Sequence, residues 1–393
     1  MIPHQGVNPI NITRVSTVCL SRLHERERQW ITADQRVIKA DCALVIIETD
    51  EGLRGVGEAS AYGVPAQIRE WVAFYAADLV GQEIGQVGLL PQPHGRPWGQ
   101  WAHDCAVAGL DCALWDLRAR AAGVSVGQLL GGTRATEIQL YASGGCRYDW
   151  RVRPEALIEE VLTYVDQGFG VCKIRLGTHW AWDGVTVDRF LSLMQELHSA
   201  VGGRARLALD GNSRLTPDQA FELARGIQAL EFAWFEDPLP NDDLTHYREL
   251  RAALDLPITG GENWATLEQL RPHLEHSAFS MIHPDAGLSG LTEAARIARS
   301  ARRFGIGVRP HSWHNGLMAL ANAHLALAFS PEPLLELNML QGPLQWGILA
   351  APPSISQGKL TLPPGDGFGV ELASDLEEQF PYVEGHYAVE VWR

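Results

Sequence analysis

The sequence predicts an α/β fold built on a parallel barrel, and two patterns predict it. From residue 137 onward, short apolar runs that end in polar and turn-forming residues alternate with amphipathic stretches of helical length, as in repeated strand–helix units. Five polar residues recur near the ends of those runs, Asp210, Glu236, Glu262, Asp285 and His311, at spacings of 26, 26, 23 and 26 residues. Each spacing is about the length of one strand, one loop and one helix. Because parallel strands of a closed barrel open onto one face, we expect these side chains to share one rim.

The first third of the chain predicts a separate α+β domain. The segment CALVIIETDEGLRGVGEA has an apolar run, an Asp-Glu-Gly turn and a second run, which is typical of an antiparallel hairpin. The polar segment before it, SRLHERERQWITADQRVIKA, is interpreted as a mobile loop between two strands. In HDCAVAGLDCALWDLRARAAG, apolar residues from Ala106 to Leu117 follow helical spacing and Gly123 provides a stop. We place this domain at residues 1–136.

Residues 137–363 carry the strand–helix alternation. The strand-like runs are VCKIRL, ARLALD, FAWFED, PITGGE, SMIHPD, GIGVRP and LLELNM, and helical stretches such as TPDQAFELARGIQAL separate them. The tail, residues 364–393, leaves this rhythm and is predicted to pack on the N-terminal domain and complete it.

Composition narrows the classes of function. The chain has 393 residues, of which 46% are hydrophobic and 20% charged, and no apolar run approaches the roughly 20 residues of a membrane span. The formal net charge of −15 argues against a nucleic-acid partner. The N-terminus lacks a secretion signal, and six scattered cysteines favour reduced thiols over disulfides or a zinc site. We therefore expect a cytoplasmic protein that binds neither membranes nor nucleic acid.

Asp210, Glu236 and Glu262 have a further property in common. Each follows a short apolar run and precedes a loop, as at the C-terminal end of a buried parallel strand. One such carboxylate is as readily explained as a helix cap, but three in register would repel one another unless a hard cation lay between them. Oxygen-only ligands favour Mg²⁺ over zinc. The three residues are therefore predicted to bind Mg²⁺.

Several ordered motifs carry a resemblance to a known family. They are GVGEA, ALWDLRARAAG with QLLGG, KIR at 173–175, LDGN, FED, GGENW, HPDAGLSGLTEAARIA, PH at 310–311 and LLEL near 336. In order and spacing the chain resembles the enolase superfamily, and within it the mandelate racemase group. The resemblance implies a modified TIM barrel, (β/α)₇β, under an α+β capping domain made from both chain ends, with the active site between them. Such proteins are frequently homo-oligomers, and we expect one here.

The resemblance also implies a reaction, the removal of a proton next to a carboxylate to give an enediolate. Because such a C–H is a very weak acid, fixed positive charge must meet the developing negative charge. Mg²⁺ would supply most of it, and Lys173 matches the first lysine of the family's K-x-K motif. Glu336 matches the acid on the last strand that bonds the substrate carboxylate, and Asn212 and Ser143 are further predicted substrate contacts. The alternatives are a solvated strand-end lysine and, for Glu336, a salt-bridge partner.

His311 is predicted to be the general base and acid. An imidazole titrates near neutrality, and Asp285, one repeat earlier, is placed to fix its tautomer and raise its basicity. The resemblance implies this dyad at these positions. In the same segment, His314 is interpreted as a bystander and Trp313 as a wall of the pocket.

Arg175 stands where mandelate racemase has a second lysine. Arginine keeps its proton at ordinary pH, which makes it a poor base and a good donor to a carboxylate or hydroxyl group, so racemisation by two bases is disfavoured. The alternative is that Arg175 serves as a base because its surroundings strongly perturb it. With His311 as the single base, we expect the enediolate to expel a β-hydroxyl group and give a 2-keto-3-deoxy acid, as acid-sugar dehydratases do. An epimerase or lactone cycloisomerase, which would use the same enediolate, and a non-catalytic ligand sensor are the alternatives.

The identity of the sugar acid is left open by the sequence. The stretch from Cys19 to Gln35, the region from Ala59 to Pro65 and Tyr148 are expected to select the substrate. Basic residues in the first of these, Arg22, Arg26 and Arg28, suggest a diacid, although exposed charges are more often only solvated.

Overall fold

The computed structural model describes residues 9–59, 62, 64–88, 90 and 101–390, without the side chain of Trp182. Residues 60, 61 and 63, in a region predicted to select the substrate, lie outside this range. The strands are β1 (Ile12–Leu23), β2 (Trp30–Thr32), β3 (Gln35–Val37), β4 (Lys39–Thr49), β5 (Arg54–Ala59), β6 (Glu137–Ser143), β7 (Val171–Arg175), β8 (Arg206–Asp210), β9 (Phe235–Glu236), β10 (Ile258–Gly260), β11 (Met281–Ile282), β12 (Gly307–Val308), β13 (Leu334–Asn338), β14 (Ile355–Ser356), β15 (Lys359–Thr361) and β16 (Ala388–Glu390).

The helices connect and cover these strands. They are α1 (Pro65–Leu79), α2 (Trp101–Ala122), α3 (Val126–Leu129), α4 (Ala156–Asp166), α5 (Trp180–Asp183), α6 (Val187–Val201), α7 (Pro217–Ala229), α8 (Leu244–Ala253), α9 (Leu267–Glu275), α10 (Ala286–Arg303), α11 (Gly316–Phe329), α12 (Leu344–Gly347) and α13 (Leu376–Gln379). None of the helices in the described ranges combines the length and apolar character of a membrane span.

The predicted N-terminal hairpin is present as β4 and β5, which pair antiparallel with Val45 opposite Gly57. Strand β1 pairs on the other side of β4, and α2 packs across the sheet. A Cβ atom added to Gly57 would come within 2.2 Å of the carbonyl oxygen of Gly109 on α2. The glycines of GVGEA therefore let the helix backbone approach the sheet.

The segment predicted to be a mobile loop contains two strands instead. Strands β2 and β3 pair antiparallel, and β16 from the C-terminal end joins β3, with Ala388 opposite Val37. The physical reason is that Trp30 and Val37, apolar residues in an otherwise polar segment, are buried in a cluster that includes Trp313. The C-terminal end thus contacts the N-terminal region, while the domain boundaries at 136 and 363 stay a prediction.

Eight parallel strands form the barrel. The hydrogen-bonded order runs from β12 through β11, β10, β9, β8 and β7 to β6, and β13 pairs with β6. The eighth strand thus returns to the first, and helices follow each of the first seven strands, which is the predicted (β/α)₇β arrangement. In β7, Lys173 and Arg175 alternate with Cys172 and Ile174, which belong to the main apolar core. Because side chains alternate along a strand, the two basic residues share the other face.

Candidate active site

The five regularly spaced residues lie at or just beyond the C-terminal ends of five neighbouring strands. Asp210 and Glu236 are the last residues of β8 and β9 and stand opposite each other in the ladder. Glu262, Asp285 and His311 follow β10, β11 and β12 by two or three residues. They therefore occupy one end of the barrel.

Helix capping explains only one of these acidic residues. Helices α7, α8 and α9 have other N-caps, namely Thr216, Asp243 and Thr266. Asp285, by contrast, is the N-cap of α10, and its Oδ1 accepts a hydrogen bond from the backbone N–H of Gly287 at 2.7 Å. The carboxylates of Asp210, Glu236 and Glu262 are therefore not used as caps.

Lys173 is fully buried and lies between two carboxylates. Its Nζ is 2.5 Å from Glu236 Oε1 and 2.8 Å from Glu336 Oε1. Burial by itself raises the pKa of Glu236, but Lys173 and then His283 lower it to about 2. Burial also opposes the charge of Lys173, but the two carboxylates outweigh it and raise its pKa. Lys173 is thus a fixed cation and not a solvated strand-end residue, and Glu336 is one of its salt-bridge partners.

Arg175 is held by an ion pair and by an aromatic ring. Its Nε lies 3.4 Å from Asp210 Oδ2, and its guanidinium carbon is 4.1 Å from the centre of the Trp313 ring. Burial disfavours its charge, but Cys146, Asp210 and other neighbouring groups outweigh burial and raise its pKa. Arg175 therefore stays protonated and is a donor rather than a base.

His311 forms the predicted contact with Asp285 and a second one with Glu262. Its Nδ1 is 2.8 Å from Asp285 Oδ2, and its Nε2 is 3.3 Å from Glu262 Oε2. Burial would lower the pKa of His311, but Glu262, Glu336 and Asp285 raise it to about 10. His314, interpreted from sequence as a bystander, also bonds Asp285 Oδ2, through Nε2 at 2.7 Å. Asp285 thus orients two imidazoles.

The surroundings of Asp210 and Glu262 disfavour the charged form of both carboxylates, and a cation would relieve this. Burial and the charge of Glu236 raise the pKa of Asp210. Burial, opposed by His311 and reinforced by Asp210, raises the pKa of Glu262 to about 7. Glu262 Oε2 also has no hydrogen-bond partner among the described residues. An oxygen-only set with these properties fits a hard divalent cation.

A second group of ligand atoms is more tightly clustered than these carboxylates. In the part of the chain that the structure describes, the one set of three potential metal-ligand atoms that lie within 4.8 Å of one another belongs to Asp285, His311 and His314. The predicted Mg²⁺ ligands do not form such a set among the described residues, and Lys173, Arg175 and His311 lie against them.

The predicted substrate contacts lie in different places. Asn212, at a positive φ of 46°, directs its backbone N–H and its Nδ2 to the two oxygens of Asp210, each at 2.8 Å. Glu336 Oε2 accepts from the backbone N–H of Ser312 at 2.7 Å. Ser143 is buried at the end of β6 beside Lys173 in the ladder. Asn212 therefore orients Asp210, whereas Glu336 and Ser143 lie beneath the cavity.

A cavity of about 330 Å³ opens above these residues, between the barrel and the cap. On the barrel side it is lined by Arg175, Asn212, Arg214, Glu262, Asn263, Asp285, His311, Trp313 and His314. On the cap side it is lined by Trp30, Thr32, Ala33, Tyr62, Trp101 and Tyr387. The basic residues suggested for a diacid do not line it: Arg22 and Arg28 pair with Glu25 instead. Tyr148 is buried, and its hydroxyl donates to the carbonyl of Arg175 at 2.6 Å.

Several residues at the site were not predicted. Asp237 directly follows Glu236 and Asn263 directly follows Glu262, and Asn263 Nδ2 donates to Asp237 Oδ2 at 3.2 Å. Their position beside a predicted ligand was the signal available. His283 is fully buried, with its Nε2 3.6 Å from Glu236 Oε2, and the SMIHPD motif in which it lies gave no reason to single it out.

Comparison with protein families divides the chain into two matched parts. Residues 16–131 match the family described as mandelate racemase / muconate lactonizing enzyme, N-terminal domain. Residues 156–376, more than half of the chain, match the family described as enolase C-terminal domain-like.

Two curated relatives span nearly the same length. The chain is 29% identical over 384 residues to a D-galactarolactone cycloisomerase of Agrobacterium fabrum, a match that covers 94% of this chain and 99% of the relative. It is 25% identical over 340 residues to an arabinonate dehydratase of Saccharolobus solfataricus, covering 85% and 89%.

Solved structures show the same architecture. A member of the enolase superfamily from Polaromonas sp. JS666 has a TM-score of 0.81 at 26% identity and covers 96% of this chain and 99% of its own. The 3,6-anhydro-D-galactonate cycloisomerase from Zobellia galactanivorans has a TM-score of 0.78 at 25% identity, covering 94% and 99%.

Proposed function

Because the chain belongs to the enolase superfamily and its mandelate racemase group, we propose that it removes the proton next to the carboxylate of a sugar acid and eliminates the β-hydroxyl group as water. It would then be a lyase, a sugar acid dehydratase that gives a 2-keto-3-deoxy acid. The observation that carries this proposal is the asymmetry of the cavity. Two basic groups line the cavity. His311 is oriented by Asp285 and can exchange a proton, whereas its surroundings keep Arg175 in the protonated form.

Mg²⁺ is the proposed cofactor, with Asp210, Glu236 and Glu262 as its ligands. The support is the oxygen-only donor set, the mutual repulsion of the buried carboxylates and Glu262 Oε2, which has no hydrogen-bond partner among the described residues. Bound Mg²⁺ would supply positive charge for the enediolate. It would also offset the negative charge of Glu262, which raises the pKa of His311 more than any other neighbour does.

The chain's own residues account for the remaining steps. In this proposal Lys173, through its charge, and Glu336, its ion-pair partner, orient the substrate carboxylate from beneath the cavity. Asp285 holds His311 with Nδ1–H toward the carboxylate, which leaves Nε2 to take the proton from carbon 2. The same Nε2 then gives that proton to the β-oxygen as the C3–O bond breaks. Water leaves, and the enol product becomes the 2-keto-3-deoxy acid. Arg175 is placed to donate a hydrogen bond to a substrate oxygen.

Cycloisomerisation is the second candidate, and the cap side of the cavity favours it. There the lining is mostly aromatic, and ring faces pack well against the C–H face of a cyclic sugar. In a lactone or anhydro sugar acid the ring oxygen would be the β-leaving group, so that the ring opens and no water is released. The relative of 29% identity carries a cycloisomerase name. Racemisation or epimerisation is less favoured, because it requires a second group that exchanges protons.

Proton NMR in D₂O with Mg²⁺ tests these reactions directly. The panel contains five- and six-carbon aldonic and aldaric acids together with their lactones and anhydro forms. Loss of the carbon-2 proton from an open-chain acid, with a 3-deoxy-2-keto product, supports the dehydratase. Conversion of a cyclic acid alone would favour the cycloisomerase. Exchange or a new diastereomer without a keto product would contradict both.

A further inference from the structure

The loop that carries the proposed base has no regular structure of its own. Residues 309–315 connect β12 to α11 and contain His311, Trp313 and His314, all of which line the cavity. A base must lie within hydrogen-bond reach of the proton that it removes, and small displacements cost large factors in rate. Contacts that fix this loop therefore bear on catalysis.

Glu58 of the cap hairpin makes two of these contacts. Glu58 Oε1 accepts from the backbone N–H of Asn315 at 3.1 Å, and Oε2 accepts from the backbone N–H of Met318 at 2.9 Å. Asn315 is the N-cap of α11, but its side chain makes no capping hydrogen bond. The first turn of α11 is thus capped by a residue more than 250 positions earlier in the chain. A buried carboxylate at that end is also favoured by the helix dipole.

Two further hydrogen bonds join the same loop to the cap. The side-chain Nδ2 of Asn315 donates to the carbonyl of Asp41 at 3.0 Å, and the Tyr62 hydroxyl donates to the carbonyl of Trp313. The ring of Tyr62 also lies against His314, with ring centres 6.1 Å apart. The cap therefore contacts the loop on both sides of His314.

The barrel holds the loop from below. Glu336 Oε2 accepts from the backbone N–H of Ser312 at 2.7 Å, and Gln341 Nε2 donates to Asn315 Oδ1 at 3.1 Å. Among these partners Glu58 is the one that fixes the helix to which the loop leads, and it belongs to the capping domain.

We propose that Glu58 is a positioning residue for His311, so that the capping domain sets the geometry of the base as well as covering the substrate. This rests on the proposed role of His311 as the base. Glu58 does not line the cavity among the residues described, so its loss acts on the rate of the chemical step and not on substrate contacts.

Glu58→Gln tests the proposal, because glutamine keeps the shape but turns an N–H group toward a backbone N–H. Hydrogen–deuterium exchange read by mass spectrometry should show the amides of residues 309–318 exchanging at least about tenfold faster, with Mg²⁺ affinity by calorimetry unchanged. With the acid that the NMR panel shows to be converted as substrate, kcat should fall about 10- to 100-fold and KM should stay within about twofold. Thr186→Ala is the matched control. Thr186 is the N-cap of α6, and its hydroxyl accepts a hydrogen bond from the backbone N–H of Arg189. Its replacement removes this hydrogen bond outside the loop and should change neither the amide exchange nor kcat.

Wild-type exchange or wild-type kcat in Glu58→Gln would overturn the proposal, as would equal effects from Thr186→Ala. If Glu58→Gln does not fold, Tyr62→Phe decides. It removes one hydroxyl from the same loop and should speed exchange at residues 311–315; unchanged exchange would count against the cap's role. If the wild-type protein exchanges the carbon-2 proton of no acid, the proposed function fails, while amide exchange still decides whether Glu58 holds the loop.

Discussion

The barrel side and the cap side of the cavity differ in both chemistry and origin. The barrel side is lined mainly by charged and imidazole groups that are buried and ion-paired, such as Arg175 with Asp210 and His311 with Asp285. They come from the ends of consecutive strands. The cap side is largely aromatic and comes from separate segments, contributing Trp30, Tyr62, Trp101 and Tyr387. The barrel side can therefore stabilise charge and transfer a proton, and the cap side can select a substrate by its shape.

The two sides also differ in how tightly each residue is fixed. Charges in a low-dielectric interior interact strongly, so removing one leaves its partner uncompensated. The aromatic rings contact one another at tilted angles, with ring centres 5.6 Å apart for Tyr62 and Tyr387 and 6.2 Å for Tyr62 and Trp101. We therefore expect changes on the barrel side to lower kcat and changes on the cap side to weaken substrate binding.

The largest effect is expected for His311→Asn. The variant keeps a polar group beside Asp285 but has no group that accepts a proton near neutral pH, so kcat should fall by about 10³-fold or more. Calorimetric titration should show Mg²⁺ binding preserved. Residual turnover near the wild-type rate would remove His311 from its role.

Glu262→Gln should act on the metal before it acts on the chemistry. Loss of one of three anionic oxygens is expected to weaken Mg²⁺ affinity roughly 100-fold. Isothermal titration calorimetry measures this, with Asn263→Ala as a control that leaves the three carboxylates in place. Unchanged affinity would mean that Glu262 is not a ligand. The cluster of Asp285, His311 and His314 would then be the candidate metal site.

The same contrast separates what the sequence could predict from what it could not. The strand-end positions of Asp210 and Glu236 followed from repeat spacing, because each strand–helix unit has a nearly fixed length. The presence of Trp101 and Tyr387 in the lining of one cavity did not, since tertiary packing alone brings such distant residues together. The sequence predicts a loop at Trp30 and Val37 because the third strand of their sheet, which pairs with β3, comes from residues 388–390. The sequence predicts that His314 is a bystander, because its hydrogen bond with Asp285 depends on the path of the chain after β12.

Arg175→Lys tests whether Arg175 and His311 have different roles within the barrel side. Lysine cannot reproduce the planar stack on Trp313, so kcat for elimination should fall roughly tenfold, about 1.4 kcal/mol. A lysine can exchange its protons, so NMR in D₂O should now show deuterium entering carbon 2 with both configurations. Elimination without any new diastereomer would contradict the view that Arg175 is what prevents two-sided exchange.

Trp101→Leu tests the cap side. The variant removes a partly exposed ring at the first turn of α2, so binding is lost equally in the ground state and the transition state. KM should rise about tenfold while kcat stays within about twofold. Steady-state kinetics on the converted acid gives both values. A fall in kcat with constant KM would contradict the division between the two sides.

The smallest effect on turnover is expected where α2 contacts β5 and the C-terminal segment. Asp116 on α2 is fully buried and accepts from the backbone N–H groups of Val56 at 2.9 Å and Phe368 at 2.7 Å, and from Arg120 Nε at 3.0 Å. Burial outweighs these donors and raises the pKa of Asp116 to about 6. The folded state therefore binds the proton more tightly than the unfolded chain, in which an aspartate titrates near 3.9.

This favourable contribution is complete below about pH 4 and is lost as pH rises through about 6. Asp116→Asn cannot titrate and also turns an N–H group toward a donor, so it should be less stable by about 1–3 kcal/mol. Urea unfolding at several pH values should show the gap between wild type and Asp116→Asn narrowing between pH 4.5 and pH 7, by on the order of 1 kcal/mol. A gap independent of pH would mean that the three donors keep Asp116 charged throughout. The cap would then be joined to the C-terminal segment by a permanent charge, the same device that the barrel side uses.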